Sequence, residues 1–281
     1  MIALAALLVA AQLGERRLQR QVHVNVPAVA LRDDARGVER GRYLFMSRGC
    51  TDCHGEDGGG KVVIDDGKGM LVRGPNITPG PDGVVARYEL VDWTRIIRHG
   101  VKPDGRPALI MPSEDYNRLT DDDLGSLIAY LKQMPPAQGG PGILQLPLLV
   151  KALYGAGAIN DAAAKIDHRL PPATPVAEGV TKKHGAYVAN ACIGCHGPQL
   201  QGGRIPGAPP DWPPAADLRP GGNRPMNAYA DRTAFARMMK TGKRPDGSEV
   251  SPVTPFNSLK AMSDTDLNAL FLYLRNLEAG G

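Results

Sequence analysis

The four cysteines of this 281-residue chain occur as two closely spaced pairs, and a histidine directly follows each pair. Two thiols and one imidazole within five residues can bond covalently to a ligand and also offer a nitrogen to a metal ion. Each motif is therefore a candidate cofactor or metal site. The motifs are Cys50-Thr51-Asp52-Cys53-His54 and Cys192-Ile193-Gly194-Cys195-His196.

Four kinds of chemistry compete for these motifs. A four-cysteine zinc ribbon separates its pairs by about 15 to 20 residues, whereas 138 residues lie between Cys53 and Cys192. A thioredoxin-like dithiol uses one pair in a βαβ setting, and disulfides give the two histidines no role. Attachment of a c-type haem uses all three residue types, because two thiols reach the vinyl carbons of one porphyrin and the histidine reaches the iron. The motifs therefore predict two covalently bound haem c groups.

Alignment of the two motifs reveals an internal repeat with an offset of 142 to 144 residues. The repeat predicts two homologous domains, residues 38–134 and 179–281. The matched segments are 41–43 with 185–187, Trp93 with Phe235, 103–105 with 245–247, 120–124 with 263–267, and 127–131 with 270–274.

Each repeat is predicted to be small, all-helical and rich in loops. Thr120 and Ser263 are helix N-cap residues with an acid three positions later, and an apolar run follows each of them. A helix carrying a tyrosine leads into each cysteine pair, and another helix carries Trp93 or Phe235. No window alternates for long enough to predict a sheet.

The segments outside the repeats differ in character. Residues 135–178 form a connector that is rich in proline at both ends, and its apolar middle, residues 143–154, favours a docked segment over a flexible tether. Residues 1–37 contain an apolar run, residues 2–13, followed by basic residues. As a helix this run reaches about 18 Å, short of the roughly 30 Å hydrocarbon core of a bilayer. Both an export signal and a membrane anchor fit it.

Composition and charge narrow the classes of function. Aromatic residues make up only 5% of the chain, and it has 34 glycines and 25 prolines, so something other than aromatic side chains must fill the core. The net charge of +4 and the lack of a basic run with interleaved aromatics exclude a dedicated nucleic-acid binder. Residues 179–281 carry 12 basic and 8 acidic side chains, an excess that fits either an ordinary solvated surface or contact with an acidic redox partner.

From residue 38 to residue 279 the chain resembles the class I c-type cytochromes, and specifically the exported dihaem cytochromes built from two such domains. The resemblance rests on both attachment motifs, the Gly-Pro-Asn-Ile-Thr-Pro loop at 74–79, the Pro-Asp-Gly turns and the closing Leu-x-x-Tyr-Leu helices. It implies an all-α chain of two tandem cytochrome c-like domains, in which first and last helices cross and haem replaces part of the core. It also implies maturation on the outer side of the bacterial cytoplasmic membrane.

The resemblance assigns axial ligands to the iron. His54 and His196 follow the cysteines, and a methionine shortly before the final helix supplies the other ligand in this family. Met111 stands 13 residues before Leu124 and offers a soft thioether, which raises the haem potential.

The second repeat departs from that pattern. Thr254 occupies the position 13 residues before Leu267, so the methionine is absent there. Three alternatives remain for the second iron, namely an open or water-occupied site, another methionine, and a nitrogen ligand. The side chains concerned are Met226 and Met262 for sulfur, and His184 and Lys260 for nitrogen.

Neighbouring residues have predicted supporting roles. By resemblance, the carbonyl of Pro75 accepts the Nδ1 proton of His54, and either Pro213 or Pro214 does so in the second repeat. Asn76 and Thr78 either bind a haem propionate or form a turn beside the proline, and Arg219 is a further candidate propionate partner. The remaining histidines, His23, His99, His168 and His184, are predicted to be solvated or to lie in loops.

The leading functional hypothesis is single-electron transfer between a redox protein donor and an acceptor on the periplasmic side of the membrane. It needs no catalytic residue, and the protein acts alone or as a subunit of a dehydrogenase or respiratory complex. The alternative is a haem enzyme or small-ligand sensor that uses an open coordination site on the second haem.

Overall fold

The structure is a computed structural model that describes residues 2–205, 208–209 and 211–278. The chain divides into two compact units, Met1–Arg42 with Thr51–Pro172, and Tyr43–Cys50 with Ala173–Gly281. Within the described ranges the α-helices are α1 (Ile2–Leu18), α2 (Ala35–Ser47), α3 (Cys50–His54), α4 (Leu90–His99), α5 (Ser113–Tyr116), α6 (Asp121–Gln133), α7 (Leu148–Gly155), α8 (Ala162–Lys165), α9 (Lys182–Ala189), α10 (Ile193–His196), α11 (Arg232–Thr241), α12 (Phe256–Leu259) and α13 (Asp264–Leu274). The strands are β1 (Val62–Asp65), β2 (Leu71–Arg73) and β3 (Ile143–Gln145).

The helices that the repeat pattern predicts are all present. Helices α2, α4 and α6 form in the first repeat, and α9, α11 and α13 form at the matching places in the second. Both predicted N-caps are confirmed, because the side chains of Thr120 and Ser263 each accept a hydrogen bond from the backbone nitrogen three residues later, at 3.1 Å. Each closing helix thus begins where its cap residue satisfies an otherwise unpaired amide.

Two glycines allow the first and last helices of each repeat to touch. A Cβ atom on Gly41 would lie 2.0 Å from the carbonyl oxygen of Ser126 in α6, and one on Gly185 would lie 2.0 Å from that of Ala269 in α13. Any larger side chain would force the backbones apart. The crossing of first and last helices that the resemblance implied is present in both repeats.

The prediction of no sheet is wrong. Strands β1, β2 and β3 form an antiparallel sheet in that order. These strands have only three or four residues, too few to show a periodic pattern. The third strand comes from the connector, so its pairing is set by tertiary contacts that a local pattern does not contain.

The connector helix α7 packs against α1, and both lie in the first unit. Gly14 and Gly155 face each other at the contact, where a Cβ on Gly14 would lie 2.1 Å from the carbonyl oxygen of Lys151. Within the described ranges, no helix combines the length and apolar character needed to cross a membrane.

The core of the second unit is rich in sulfur and contains few aromatic rings. Met226, Met238, Met239 and Met262 are all buried in one cluster with aliphatic residues from α9, α11 and α13. Phe235 lies in this cluster and makes an edge contact with Tyr229, with ring centroids 5.6 Å apart. Methionine is flexible enough to fill an irregular interior of this kind.

Candidate haem-binding sites

The first attachment motif folds into one short helix. Helix α3 carries Cys50, Cys53 and His54 within little more than one turn, so the two thiols and the imidazole are held close together. None of the four cysteines forms a disulfide, so all of them are available for thioether bonds to haem. Before attachment, burial raises the pKa of the Cys53 thiol above its usual value.

A backbone carbonyl orients His54, as predicted. Its Nδ1 lies 2.9 Å from the carbonyl oxygen of Pro75. A carbonyl only accepts hydrogen bonds, so Nδ1 carries the proton and the lone pair is left on Nε2. Burial lowers the pKa of His54, and the hydrogen bond to Pro75 offsets only part of this shift. The ring is therefore neutral at neutral pH, with a nitrogen ready to bind a metal.

The second motif repeats this arrangement with a different acceptor. Cys192 ends a 3₁₀ turn, and α10 carries Cys195 and His196. Nδ1 of His196 lies 2.7 Å from the carbonyl oxygen of Ala216, so the assignment to Pro213 or Pro214 is wrong. Burial again lowers the pKa of the imidazole, partly offset by this hydrogen bond.

A glycine six residues after each histidine explains why the carbonyl lies there. Gly60 and Gly202 have φ angles of +82° and +69°, and their amides donate to the carbonyl oxygens of His54 and His196 at 2.7 and 2.8 Å. A Cβ on Gly60 would lie 2.2 Å from the oxygen of Gly74, and one on Gly202 would lie 2.4 Å from the oxygen of Ala215. In each repeat the residue that follows the contacted carbonyl, Pro75 after Gly74 and Ala216 after Ala215, supplies the carbonyl that accepts from the histidine. Aligning these two glycines carries Pro75 onto Asp217, one residue beyond the observed acceptor, so the alignment locates the segment but not the carbonyl.

The residues after Pro75 build a turn. The side chain of Asn76 donates to the carbonyl oxygen of Ala137 at 2.7 Å, and Thr78 donates to Asn76 from both its amide and its hydroxyl at 2.8 Å. Both side chains are fully buried. Of the two predicted roles, the structure shows the turn.

Arg219, the other candidate for a haem propionate, forms an ion pair within the chain. Its guanidinium binds Asp217 through two hydrogen bonds of 2.9 and 2.7 Å, and Arg224 binds the same carboxylate. Hydrogen bonds from Arg219 are the main cause that lowers the pKa of Asp217 to about 2.

The turns that contain Met111 and Thr254 have the same local geometry. The amide two residues after Met111 donates to its carbonyl at 2.9 Å, and the matching distance for Thr254 is 2.8 Å. The following prolines have φ and ψ of −81° and 62° at Pro112, and −77° and 65° at Pro255. Both prolines lead into a one-turn helix. The two residues therefore occupy equivalent positions, and only the side chain differs.

The other side chains considered for the second iron have distinct surroundings. Met226 and Met262 are 1% and 5% exposed and lie in the core cluster. Lys260 is exposed to solvent. His184 is buried, and its Nε2 lies 2.7 Å from Oδ1 of Asp266.

Asp266 forms a buried charged cluster that the sequence did not predict. Its carboxylate accepts from the Tyr43 hydroxyl at 2.6 Å and also binds Arg48 and His184. Burial alone would raise the pKa of Asp266, but the charge of Arg48 and the three hydrogen-bonding partners outweigh burial and lower it to about 2. The prediction that His184 is solvated or in a loop is wrong.

The first repeat contains a simpler version of this cluster. Arg40, which precedes Gly41 as His184 precedes Gly185, binds Asp123 through hydrogen bonds of 2.8 and 3.0 Å. The shared signal is an acid at the third position of the closing helix and a basic residue directly before the crossing glycine.

Two further histidines, His99 and His168, form a hydrogen bond with each other. Nδ1 of His99, which is buried, lies 3.0 Å from Nδ1 of His168 in the connector. Burial, together with the nearby His168 and Arg98, lowers the pKa of His99 to about 4. The expectation of a solvated His99 is therefore also wrong.

The first repeat has a polar atom that a bound haem would satisfy. The indole Nε1 of Trp93 is buried, and it has no hydrogen-bond partner in the part of the chain that the structure describes. A buried donor without an acceptor costs about 1–3 kcal/mol, and haem carries carboxylates that can accept such a bond. Among the described residues no cluster of three or more His, Cys, Asp or Glu side chains can hold a metal ion on its own. The residues present thus fit a haem and not a zinc site.

Comparison with known sequences agrees with this geometry. The family described as Cytochrome c matches residues 38–135 and 183–278. The chain belongs to the cytochrome c family, with two cytochrome c domains that bind two haem c groups covalently.

The chain is similar to several curated proteins. It is 29% identical to the fructose dehydrogenase cytochrome subunit of Gluconobacter japonicus over 264 residues, which is 86% of this chain and 53% of that protein. It is 26% identical to the cytochrome c subunit of the quinone alcohol dehydrogenase of Gluconobacter oxydans, covering 86% of this chain and 55% of that protein. A diheme cytochrome c-type protein of Cereibacter sphaeroides is 28% identical over 132 residues, 41% of this chain and 43% of that protein. The chain thus spans about half the length of these relatives.

Proposed function

We propose that this protein transfers single electrons between protein partners through two haem c groups. Cys50 and Cys53 attach the first haem, and Cys192 and Cys195 attach the second. His54 and His196 supply the axial nitrogens. The observation that carries the proposal is that both repeats place a neutral imidazole, fixed through Nδ1 by a carbonyl, beside two thiols.

The chain's own residues prepare each site for this task. Bound haem c supplies the one-electron change between ferric and ferrous iron. The carbonyls of Pro75 and Ala216 hold the imidazoles in one orientation and one tautomer, which strengthens Nε2 as a ligand. Because these hydrogen bonds run to backbone held by a glycine contact, little reorganisation is needed when the charge at the site changes.

Met111 makes the first haem the site of higher potential. Its thioether is a soft ligand that favours reduced iron, and Thr254 offers no comparable ligand in the matching turn. The solvent-exposed Lys260 and the Asp266-bound His184 argue against a nitrogen ligand for the second iron. Met226 and Met262 are buried in the cluster against which Cys192 packs, so substitution of Met226 is the direct test of a substitute thioether.

The relatives' names support a place in a dehydrogenase. We propose that the chain acts as a cytochrome subunit that accepts electrons from a dehydrogenase and passes them to an acceptor at the periplasmic face of the bacterial cytoplasmic membrane. The N-terminal apolar helix α1 holds it there. Apart from supplying ligands to the haems, the proposal assigns no catalytic role to its residues.

A redox titration of the purified, haem-loaded protein tests this proposal. The expected result is two haems per chain and two one-electron steps at different potentials. A Cys192→Ser/Cys195→Ser variant should keep only the step of higher potential, and the matched Cys50→Ser/Cys53→Ser variant only the lower one. A single haem per chain, or loss of both steps in either variant, would contradict the proposal.

Thr254 also favours a second candidate, the binding of a small ligand at the second haem. An open coordination position would bind carbon monoxide in the reduced protein and give a high-spin signal in the oxidised one. Two low-spin haems without any spectral change on adding carbon monoxide would eliminate this candidate and leave electron transfer alone.

A further inference from the structure

In the helix pair α1–α7 the small residues lie at the contact between the helices and the large aliphatic residues lie outside it. A helix pair in the core of a water-soluble protein has the opposite arrangement. Small residues form the contact, with Gly14 against the backbone of Lys151 and Gly155 against that of Ala10. Large aliphatic side chains point elsewhere. We define the α1–α7 apolar surface as Leu4, Leu8, Leu13, Leu148, Leu149 and Leu153, all of them exposed.

The exposure of apolar side chains is concentrated in this region. Of the fifteen large hydrophobic side chains exposed in the described part of the chain, ten lie in α1, α7 and the strand β3 that leads into α7. Seven of the eight residues in Ile2–Val9 are exposed, and all eight are apolar. In water a helix that is apolar on every side is unfavourable, because burial of each such side chain contributes about 1.5–3 kcal/mol.

The polar end of the helix pair is held firmly. Arg20 binds Asp161 through hydrogen bonds of 2.5 and 2.8 Å. Arg17 donates to the carbonyl oxygen of Tyr154 at 2.8 Å and lies over its ring. These bonds fix α1 and α7 as one unit and place basic residues, with the exposed Arg16, directly after the apolar part of α1.

We infer that the α1–α7 apolar surface is inserted into the lipid bilayer, with the connector helix α7 contacting lipid together with α1. The inference rests on the proposed location at the periplasmic face of the membrane. It adds to that proposal a second lipid-contacting element, 130 residues after the first in sequence.

Three observations favour lipid over a protein partner. Small residues between helices with large aliphatic ones outside is the arrangement found where the surroundings are hydrocarbon. The surface is purely aliphatic, whereas the cores of protein interfaces are enriched in Tyr, Trp, Met and Arg. Arg16 and Arg17 follow the apolar segment, where they can meet anionic headgroups.

Flotation with lipid vesicles tests the inference on the haem-loaded full chain. The vesicles contain phosphatidylethanolamine and phosphatidylglycerol in equal parts. The test variant is Leu149→Gln/Leu153→Gln, two α7 side chains that are 61% and 40% exposed. The matched control is Leu170→Gln/Val180→Gln, which are 47% and 41% exposed and lie outside the surface. The wild type should float, the α7 variant should partition at least about tenfold less, and the control should change less than about twofold.

Several outcomes would overturn the inference. If the wild type does not float, lipid is not the occupant of this surface. If the α7 variant floats like the wild type, α1 alone binds the membrane. If light scattering shows a dimer in the wild type that Leu149→Gln/Leu153→Gln dissociates, a second copy covers the surface. Redox titration of the same variants keeps this question separate, since two unchanged haem steps would leave the proposed electron transfer standing.

Discussion

The two repeats keep the same backbone devices and differ in the side chains that set their chemistry. Each has a crossing glycine, a left-handed glycine six residues after the axial histidine, and a proline turn before the closing helix. Met111 is matched by Thr254, and Trp93 is matched by Phe235. A close backbone contact at glycine tolerates no larger side chain, whereas these side-chain differences leave the backbone of each turn and helix unchanged. The repeats thus share a backbone means of holding haem, and we propose that the side-chain differences give the two haems different potentials.

The repeats also differ in how deeply their charged pair is buried. In the first, the Arg40 and Asp123 side chains are 26% and 11% exposed. In the second, Asp266 is 0% exposed and Arg48 only 7%. A buried carboxylate depends much more strongly on its partners than one near solvent.

Neutralising the aspartate of each charged pair should therefore reduce the free energy of unfolding much more in the second repeat than in the first. Asp266→Asn removes the buried carboxylate that Arg48 binds and is expected to lower the free energy of unfolding by about 3–5 kcal/mol. Asp123→Asn, at the equivalent position, is expected to cost about 1 kcal/mol because both partners reach solvent. Urea unfolding of the haem-loaded variants measures both values. Equal losses would show that burial does not distinguish the two clusters.

Exchange of Met111, the proposed axial ligand, should make the first repeat resemble the second. Met111→Thr is expected to lower the potential of the first haem by on the order of 0.1 V, a modest part of the ~0.8 V range that axial ligands span. Potentiometric titration followed by visible absorption measures the shift. Met70→Leu, a buried methionine outside the turn, serves as the control and should leave both potentials unchanged. An unaltered potential in Met111→Thr would rule out this methionine as the ligand.

The reverse exchange should make the second repeat resemble the first. Thr254→Met is expected to raise the potential of the second haem by a comparable amount, on the order of 0.1 V, and to abolish any binding of carbon monoxide. Met226→Leu tests the competing ligand in the same titration and should have no effect. A fall in the second potential in Met226→Leu would instead identify that buried methionine as the axial ligand.

Lowering the pH should reduce the free energy of unfolding by protonating Asp266. Its pKa is about 2 in the folded protein against an ordinary value of 3.8, so the unfolded chain binds this proton first. The stabilisation is fully present above about pH 4 and is lost as the pH falls through about 2, which amounts to about 2 kcal/mol. The wild type should therefore lose more stability than Asp266→Asn between these pH values, as measured by urea unfolding at a series of pH values. Parallel losses in the two proteins would contradict this assignment.

The smallest expected effect concerns the unpaired indole. Trp93→Phe gives the first repeat the aromatic residue of the second, and we expect a change in unfolding free energy of about 1 kcal/mol or less. We also expect a lower potential of the first haem, by less than in Met111→Thr, because an N–H donor near the haem carboxylates is lost. Phe235→Tyr, which adds no indole donor, is the control. A potential that stays constant in Trp93→Phe would show that Nε1 does not face the haem.

The parts of this structure that were predictable from sequence are those that local patterns encode. The N-caps Thr120 and Ser263 and the three long helices of each repeat follow from residue types at fixed spacing, and the acceptor of His54 follows from the family resemblance. The sheet did not, because its strands are short and β3 reaches it from about seventy residues away. The acceptor Ala216 and the bonds of His184 and His99 were missed for a related reason. Each depends on which distant backbone or side chain arrives next to it, and no spacing within the sequence contains that information.

The sequence duplication does not make the repeats interchangeable modules. The segment Tyr43–Cys50 groups with the second unit, and within that unit Tyr43 and Arg48 are partners of Asp266. If the second repeat were produced by itself at its family boundaries, the buried carboxylate of Asp266 would lose both Tyr43 and Arg48. The second haem domain thus draws part of its stability from residues that belong, by descent, to the first repeat.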